Sequence, residues 1–259
     1  MDKIEKTYID KNEWEALRQF TAARIALGVT GVSVPLKSAL ALRLAHAHAR
    51  EAVYSVLDMP FLTTTLHAKK IKTIEVCSCA TDRNEYLQRP DFGRKLSDYS
   101  AQILQQQNVL PADIVVVIAD GLSASAVNKH AVTVAFLVTQ LAKQKGLSFA
   151  PVVLASQARV AITDEIGYLL NARLSVILIG ERPGLSASDS MGAYITYNPK
   201  PGNTDEKRNC VSNIRPEGLP PEAAAEKIML LIEAAFKLQL TGVALKDEGD
   251  EMSIVNSEW

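Results

Sequence analysis

The chain has 259 residues, with 28 Lys and Arg against 29 Asp and Glu, a formal net charge of −1, and 47% hydrophobic residues against 22% charged. That balance excludes a disordered chain, a collagen-like chain and a small disulfide scaffold, and it offers no general basic footprint for nucleic acid. The length allows one or two domains with a large buried core. No apolar stretch approaches the ~20 residues of a membrane span. The first fifteen residues mix Asp, Lys and Glu without an apolar segment, so no secretory signal is expected. Cys77, Cys79 and Cys210 are too few for a disulfide framework and lack the His spacing of a zinc site. Cysteine usage of this kind suits a reducing, cytosolic-type compartment.

The first hundred residues read as helix-rich. Trp14, Leu17, Phe20 and Ala23 recur at helical spacing, as do Leu42, Ala45, Ala49, Ala52, Val53 and Val56 within 36–57. Gly28, Gly31 and Pro35 break the chain between these two patterns. A short strand is expected over 71–76, a turn at 91–93 and a helix over 94–107. Residues 113–119 (DIVVVIA) form a continuous β-branched run, the pattern of a strand buried on both faces. A long helix is predicted over 126–145, closed by Gly146. A strand follows at 151–155, then a short helix over 163–170 with Thr163 as its N-cap. Further strands are predicted at 174–179 and 193–197. Residues 200–218, rich in Gly, Pro and Asn, read as a long loop. Pro220-Pro221 and Gly242 bracket a last helix over 222–240. The organisation expected is a helix-rich region over 1–98, an α/β domain over 99–246 and an acidic tail over 247–259.

Alternating strands and helices predict an α/β fold, a Rossmann-like, mostly parallel sheet flanked by helices and preceded by the helix-rich region. Ligands in such folds bind beyond the carboxyl ends of the strands. Four segments therefore become candidates: 120–123, 156–161, 180–188 and 200–218. Gly-Leu-Ser-Ala-Ser occurs at 121–125 and again at 184–188. The repeat is either a coincidence of loop composition or a pair of strand-to-helix turns whose N–H groups face one ligand.

The chemistry these residues offer is limited. Ser123 follows a strand as a hydrolase nucleophile would, but Ser125 stands where that motif has Gly, so a cap or ligand contact is the better reading. No Gly-rich dinucleotide or phosphate loop is present. His46 and His48 lie two apart on a helix and point to different faces, so a shared metal is not expected. Cys77 and Cys79 read as structural. Glu181 follows a strand and is either a surface partner of Arg182 or a carboxylate accepting hydrogen bonds at the ligand end of the sheet. Cys210 has no nearby His to activate it and suits a pocket wall. Val160 alone reads as apolar packing. No catalytic set and no metal site emerge.

Several segments together resemble the small (light) subunit of ethanolamine ammonia-lyase. They include 20–28 (FTAARIALG), 44–53 (LAHAHAREAV), 86–94 (YLQRPDFGR), 118–124 (IADGLSA), 179–186 (IGERPGLS), 208–218 (RNCVSNIRPEG) and 242–246 (GVALK). Phe92 stands where the family usually has Leu, and Val211 where Ile is common. Residues before about 18 are poorly shared.

The resemblance implies a subunit of an adenosylcobalamin-dependent lyase that converts ethanolamine to acetaldehyde and ammonia by a radical mechanism. It implies a large (heavy) catalytic subunit as partner, which binds the ethanolamine, and a cobalamin site at the interface between the two. Matching motifs carry the small-subunit cofactor contacts onto Val160, Glu181 and Cys210, with Asp120, Ser123 and Arg182 as secondary candidates. It further implies a bacterial cytoplasmic location inside an ethanolamine-utilising microcompartment. A structural or targeting role in that compartment, without cofactor contact, is the competing reading.

Overall fold

The apolar run that dominates the sequence becomes the middle of the molecule. Strand β2 (Ala112–Ala119) alternates its side chains between two cores. Ile114, Val116 and Ile118 enter one, and Val115, Val117 and Ala119 enter the other. A strand covered on both faces has no polar side to show, which is why the run is continuous rather than alternating. The computed structural model describes residues 9–245 except 11, 22, 108 and 109. The expected acidic tail over 247–259 lies outside the described residues.

Among the described residues, six strands form one sheet in the order β1-β3-β2-β4-β5-β6. They are β1 (Thr73–Cys77), β2, β3 (Val152–Ser156), β4 (Ala172–Gly180), β5 (Met191–Tyr197) and β6 (Asn209–Ile214). The first four pair in parallel, and β5 and β6 add antiparallel. The helices are α1 (Leu36–Tyr54), α2 (Met59–Ala68), α3 (Arg83–Gln88), α4 (Asp98–Gln106), α5 (Ala124–Gln144), α6 (Ile162–Leu169) and α7 (Pro221–Leu238). On one face, Leu62 and Leu66 of α2, Val127 and Val134 of α5, and Ile228 and Ile232 of α7 share a core. On the other, Leu104 of α4 packs with Ile162 and Ile166 of α6. The α/β reading, with its mostly parallel sheet between helices, holds.

Four local expectations change. The predicted loop over 200–218 contains β6. This edge strand buries only Val211 and Ile214, so its polar composition hides the strand signal. Thr163 is not an N-cap: α6 starts at Ile162 after Ala161, and the Thr163 hydroxyl is buried inside the helix without a partner among the described residues. The helix expected from residue 94 starts at Asp98, because Ser97 accepts the Ser100 N–H at 3.2 Å and sets the boundary there. The second Gly-Leu-Ser-Ala-Ser opens no helix. It lies between antiparallel β4 and β5, which need no crossover helix to connect them.

The N-terminal apolar pattern is real but unburied. Glu13–Phe20 is a 3-10 helix with no buried residue, and α1 buries only Ala52 along its 19 residues. Trp14, Phe20, Leu36 and Leu44 are all more than half exposed.

Gly121 lets the ends of β2 and β4 approach. It sits at φ +57°, and a Cβ there would collide with the Gly180 carbonyl and the Ile179 side chain. The Leu122 N–H donates to that carbonyl at 2.9 Å. Gly121→Ala should therefore lower the melting temperature of the full chain by roughly 5–10 °C, because it adds backbone strain to a steric clash. A thermal melt followed by circular dichroism checks this.

Candidate functional site

The parallel strands end in loops that gather around one buried carboxylate. Asp120, 4% exposed, follows β2 directly. Its Oδ1 accepts the N–H groups of Gly121 and Ala158, each at 2.9 Å. Its Oδ2 accepts the Gln157 N–H at 2.8 Å and Arg83 Nη1 at 3.4 Å. Arg83 also donates to the Val53 carbonyl at 2.7 Å and the Gly121 carbonyl at 2.9 Å. Burial pushes the Asp120 carboxyl above its ordinary range, and these donors pull it back. One side chain thus ties the end of β2, the loop after β3 and the start of α3. Asp120 serves the scaffold and does not line the cleft described next.

That cleft encloses about 470 Å³ and is lined by Val160, Ile179, Gly180, Glu181, Arg182 and Tyr194, together with Tyr86, Gly121, Leu122 and Arg159. The turn after β3 brings Val160 to it, and the end of β4 brings Glu181. Tyr86 is fully buried. Its hydroxyl donates to the Ala158 carbonyl at 3.1 Å, and the Arg83 and Arg159 guanidiniums lie 4.7 and 4.3 Å from its ring centre.

Glu181 does not turn toward Arg182. Its Oε2 accepts a short hydrogen bond from the Ser190 hydroxyl, and the Asn213 N–H reaches Oε2 at 3.3 Å and Oε1 at 3.4 Å. Its own N–H donates to the Ser190 carbonyl at 3.0 Å. A Cβ on Gly192 would stand 3.0 Å from Oε1, so the glycine leaves space for the carboxylate. The side chain is held in place while keeping lone pairs for a further donor.

Cys210 lies on β6, not in a loop, and pairs across the ladder with Tyr194. It is absent from the cleft wall itself and adjoins it through that tyrosine. The Tyr194 phenol hydrogen-bonds the thiol, and burial pushes the phenol's pKa up. Burial and the Glu181 charge together raise the thiol's pKa, against that hydrogen bond. The structure therefore brings Val160 and Glu181 into one cleft, with Cys210 next to it.

The secondary candidates separate. Arg182 is exposed and lines the cleft. Ser123 is fully buried. Its hydroxyl donates to the Ser188 carbonyl at 3.0 Å and meets Ser125 Oγ at 3.1 Å, so it joins the two copies of the repeat and has no base as partner. Cys77 contacts Ser97 and Ser100, and the Cys79 thiol meets the Leu96 carbonyl, which fits their structural reading.

Sequence reasoning missed the residues that hold the site in shape. Arg208 grips Asp164 of α6 through two bonds, Nη1 to Oδ1 at 2.8 Å and Nη2 to Oδ2 at 2.7 Å, with side chains 2% and 3% exposed. It also reaches Thr196 on β5 at 3.2 Å. This pair connects the helix behind Val160 to the strand carrying Cys210. The sequence signal was only Arg208's place two residues before Cys210. Nothing near Asp164 announced its partner.

Breaking that pair should be costly. Arg208→Met should destabilise the full chain by about 3–5 kcal/mol in urea unfolding, because it strands a buried carboxylate, and adding Asp164→Leu should recover part of the loss. A second outcome tests the electrostatic influence of Glu181 on Cys210. Iodoacetamide labelling of Cys210 should be slow at pH 7 and rise only above the usual thiol range. In Glu181→Gln, removal of the neighbouring negative charge should move that rise to lower pH. Mass spectrometry of the labelled peptide reads both.

Comparison with known proteins agrees with this architecture. A family model described as Ethanolamine ammonia-lyase light chain (EutC) matches residues 11–246. The chain is 50% identical over 258 residues to the ethanolamine ammonia-lyase small subunit of Pseudomonas fluorescens, covering 97% of this chain and 93% of that one. It is 49% identical over 245 residues to the small subunit of Ralstonia nicotianae, covering 93% and 91% of the two chains. It is 49% identical over 243 residues to that of Xanthomonas campestris pv. campestris, covering 93% and 89%. The matched span includes all six strands of the sheet and every residue of the cleft, and the chain belongs to the ethanolamine ammonia-lyase light-chain family.

Proposed function

We propose that this chain forms part of the adenosylcobalamin site of an ethanolamine ammonia-lyase, at its interface with the large subunit, with Val160, Glu181 and Cys210 as its contacts. Family membership makes the chain the small subunit of a lyase that has a large subunit as partner. The reaction is the conversion of ethanolamine to acetaldehyde and ammonia. The observation that carries the cofactor reading is the meeting of Val160 and Glu181 in one cleft at the carboxyl ends of the strands, with Cys210 beside it.

The residues suit such a group. A cobalamin presents a rim of amides around a broad apolar face. Glu181 is anchored by Ser190 and Asn213 and keeps acceptor capacity for amide N–H groups. Val160, Leu122 and Ile179 supply apolar wall, and Gly121 and Gly180 allow close approach to the backbone. A cobalamin is also far larger than this open cleft, so a second protein must complete its enclosure.

When bound, adenosylcobalamin supplies the radical chemistry that abstracts hydrogen from the substrate. This chain's residues bind and orient. Glu181 would hold an amide edge by accepting its N–H, Val160 would exclude water from the contact, and burial together with the Glu181 charge keeps the Cys210 thiol protonated. The ethanolamine and its reacting atoms belong to the large subunit.

The partner reading draws support from the N-terminal region. Trp14, Phe20, Leu36, Leu40 and Leu44 are all more than half exposed, an apolar surface suited to burial against a partner. We assign the exposed apolar residues of Glu13–Phe20 and α1, within the helix-rich region over 1–98, to the large-subunit interface, and 99–246 to the cofactor-contacting domain. No helix among the described residues is long and apolar enough to cross a membrane. The family resemblance supports a place in the bacterial cytoplasm, within an ethanolamine-utilising microcompartment.

The test compares acetaldehyde release from ethanolamine plus adenosylcobalamin by the large subunit alone and co-expressed with this chain. Activity should appear only with both. In the assembled enzyme, Glu181→Ala should weaken cobalamin affinity about tenfold, the loss of one hydrogen bond to a charged acceptor, and leave kcat at saturating cofactor unchanged. Unchanged affinity would overturn the role of Glu181. A stable complex with no gain in activity would favour a structural or targeting role.

A further inference from the structure

A second cleft opens at the same end of the sheet. It encloses about 380 Å³, and Val56, Arg83, Ile103, Asp120 and Gln157 are among the residues lining it. Val160, Glu181 and Cys210 do not line it. The connection after β2 runs to α5 on one face, while the connection after β3 runs to α6 on the other. The crevice between these two strand ends is therefore the switch point of the sheet, the place where open α/β folds take ligands.

Two of the residues that line this cleft carry a side-chain atom without a partner. Arg83 Nη2 and Gln157 Oε1 are both buried, and neither has a hydrogen bond among the described residues. Buried polar groups are nearly always paired, so two orphans in one cleft call for an explanation. Both residues are anchored on the same oxygen. Asp120 Oδ2 takes Arg83 Nη1 at 3.4 Å and the Gln157 N–H at 2.8 Å. Gln157 also sits at φ +53°, a left-handed conformation that costs a residue with a Cβ. Asp120 enforces it by holding the N–H groups of both Gln157 and Ala158. Strain imposed in this way concentrates at functional sites.

The orphans define a ligand. One is a donor and the other an acceptor. Around them stand two carboxylates, Asp120 and Glu75, against one guanidinium, so no surplus positive charge awaits an anion. Val56, Leu57 and Ile103 supply an apolar wall. We propose that this cleft binds a small neutral ligand with an amide or lactam edge. The ligand's carbonyl accepts from Arg83 Nη2, its N–H donates to Gln157 Oε1, and its apolar body lies against Val56 and Ile103.

Equilibrium dialysis of benzamide against the full chain tests this, with benzoate and benzylamine as charged isosteres. Saturable binding at one site per chain is expected, with both isosteres at least tenfold weaker. Gln157→Gly keeps the left-handed backbone without strain and deletes Oε1, so it should keep or raise the melting temperature while weakening benzamide at least tenfold. Four results would overturn the proposal: no saturable binding, benzoate binding as well as benzamide, Gln157→Gly binding like the wild type, or benzylamine binding as well as benzamide. The first would leave ordered water as the partner of both groups. The second would mean that the Gln157 amide presents its NH2, giving two donors and an anion site.

Discussion

The carboxylate of Asp120 is the constraint on which the ligand end of the sheet depends. It collects donors from three stretches of chain that have no reason to meet otherwise: Gly121 after β2, Gln157 and Ala158 after β3, and Arg83 at the start of α3. The loops after parallel strands carry backbone N–H groups that the sheet no longer satisfies, and a buried carboxylate can take several at once. Both clefts are by-products of that gathering. The turn it stabilises after β3 presents Val160 to one cleft and leaves Gln157 strained in the other.

A second buried charge performs the equivalent task on the far side. The Asp164–Arg208 pair joins α6 to the start of β6, while Thr196 attaches it to β5. Such a pair adds little net stability over apolar packing, but it admits few alternative geometries. The register of β5 and β6 then places Cys210 opposite Tyr194, and Tyr194 reaches the wall that Glu181 also lines. Positions separated by about fifty residues in the chain are thereby held around one space.

In the function proposed above, that space is one half of a site. It has anchoring groups and apolar wall, and its openness fits a subunit whose partner completes it. The N-terminal region points the same way. Its 3-10 helix buries nothing and α1 buries one alanine, although both carry apolar residues at helical spacing. Arg24 donates to the Leu185 carbonyl at 3.1 Å, so this uncovered region touches the turn that follows Glu181. A partner docked on the N-terminal helices would stand beside the cleft rather than across the molecule from it.

Much of this was legible in the sequence, and the parts that were not share a physical cause. The β-branched run of β2, the bracketing glycine and proline of α5 and α7, and the alternation of Ile74 and Val76 around Glu75 are local patterns, and each became the expected element. The order of strands and helices was enough to nominate the loops bearing Val160 and Glu181. Strand β6 escaped because an edge strand with one wet face needs few apolar residues. The roles of Asp120, Arg83, Asp164 and Arg208 escaped because a buried charge is specified by its partner, and the partners lie 37 to 44 residues away. By itself the sequence determined most of the helices and strands, β6 excepted, and which loops face the ligand end, since those follow from periodicity and turn chemistry. Only the tertiary structure decided which loops touch, how Glu181 is held and which buried atoms lack partners, because hydrogen bonds between distant segments exist only once packing brings them together.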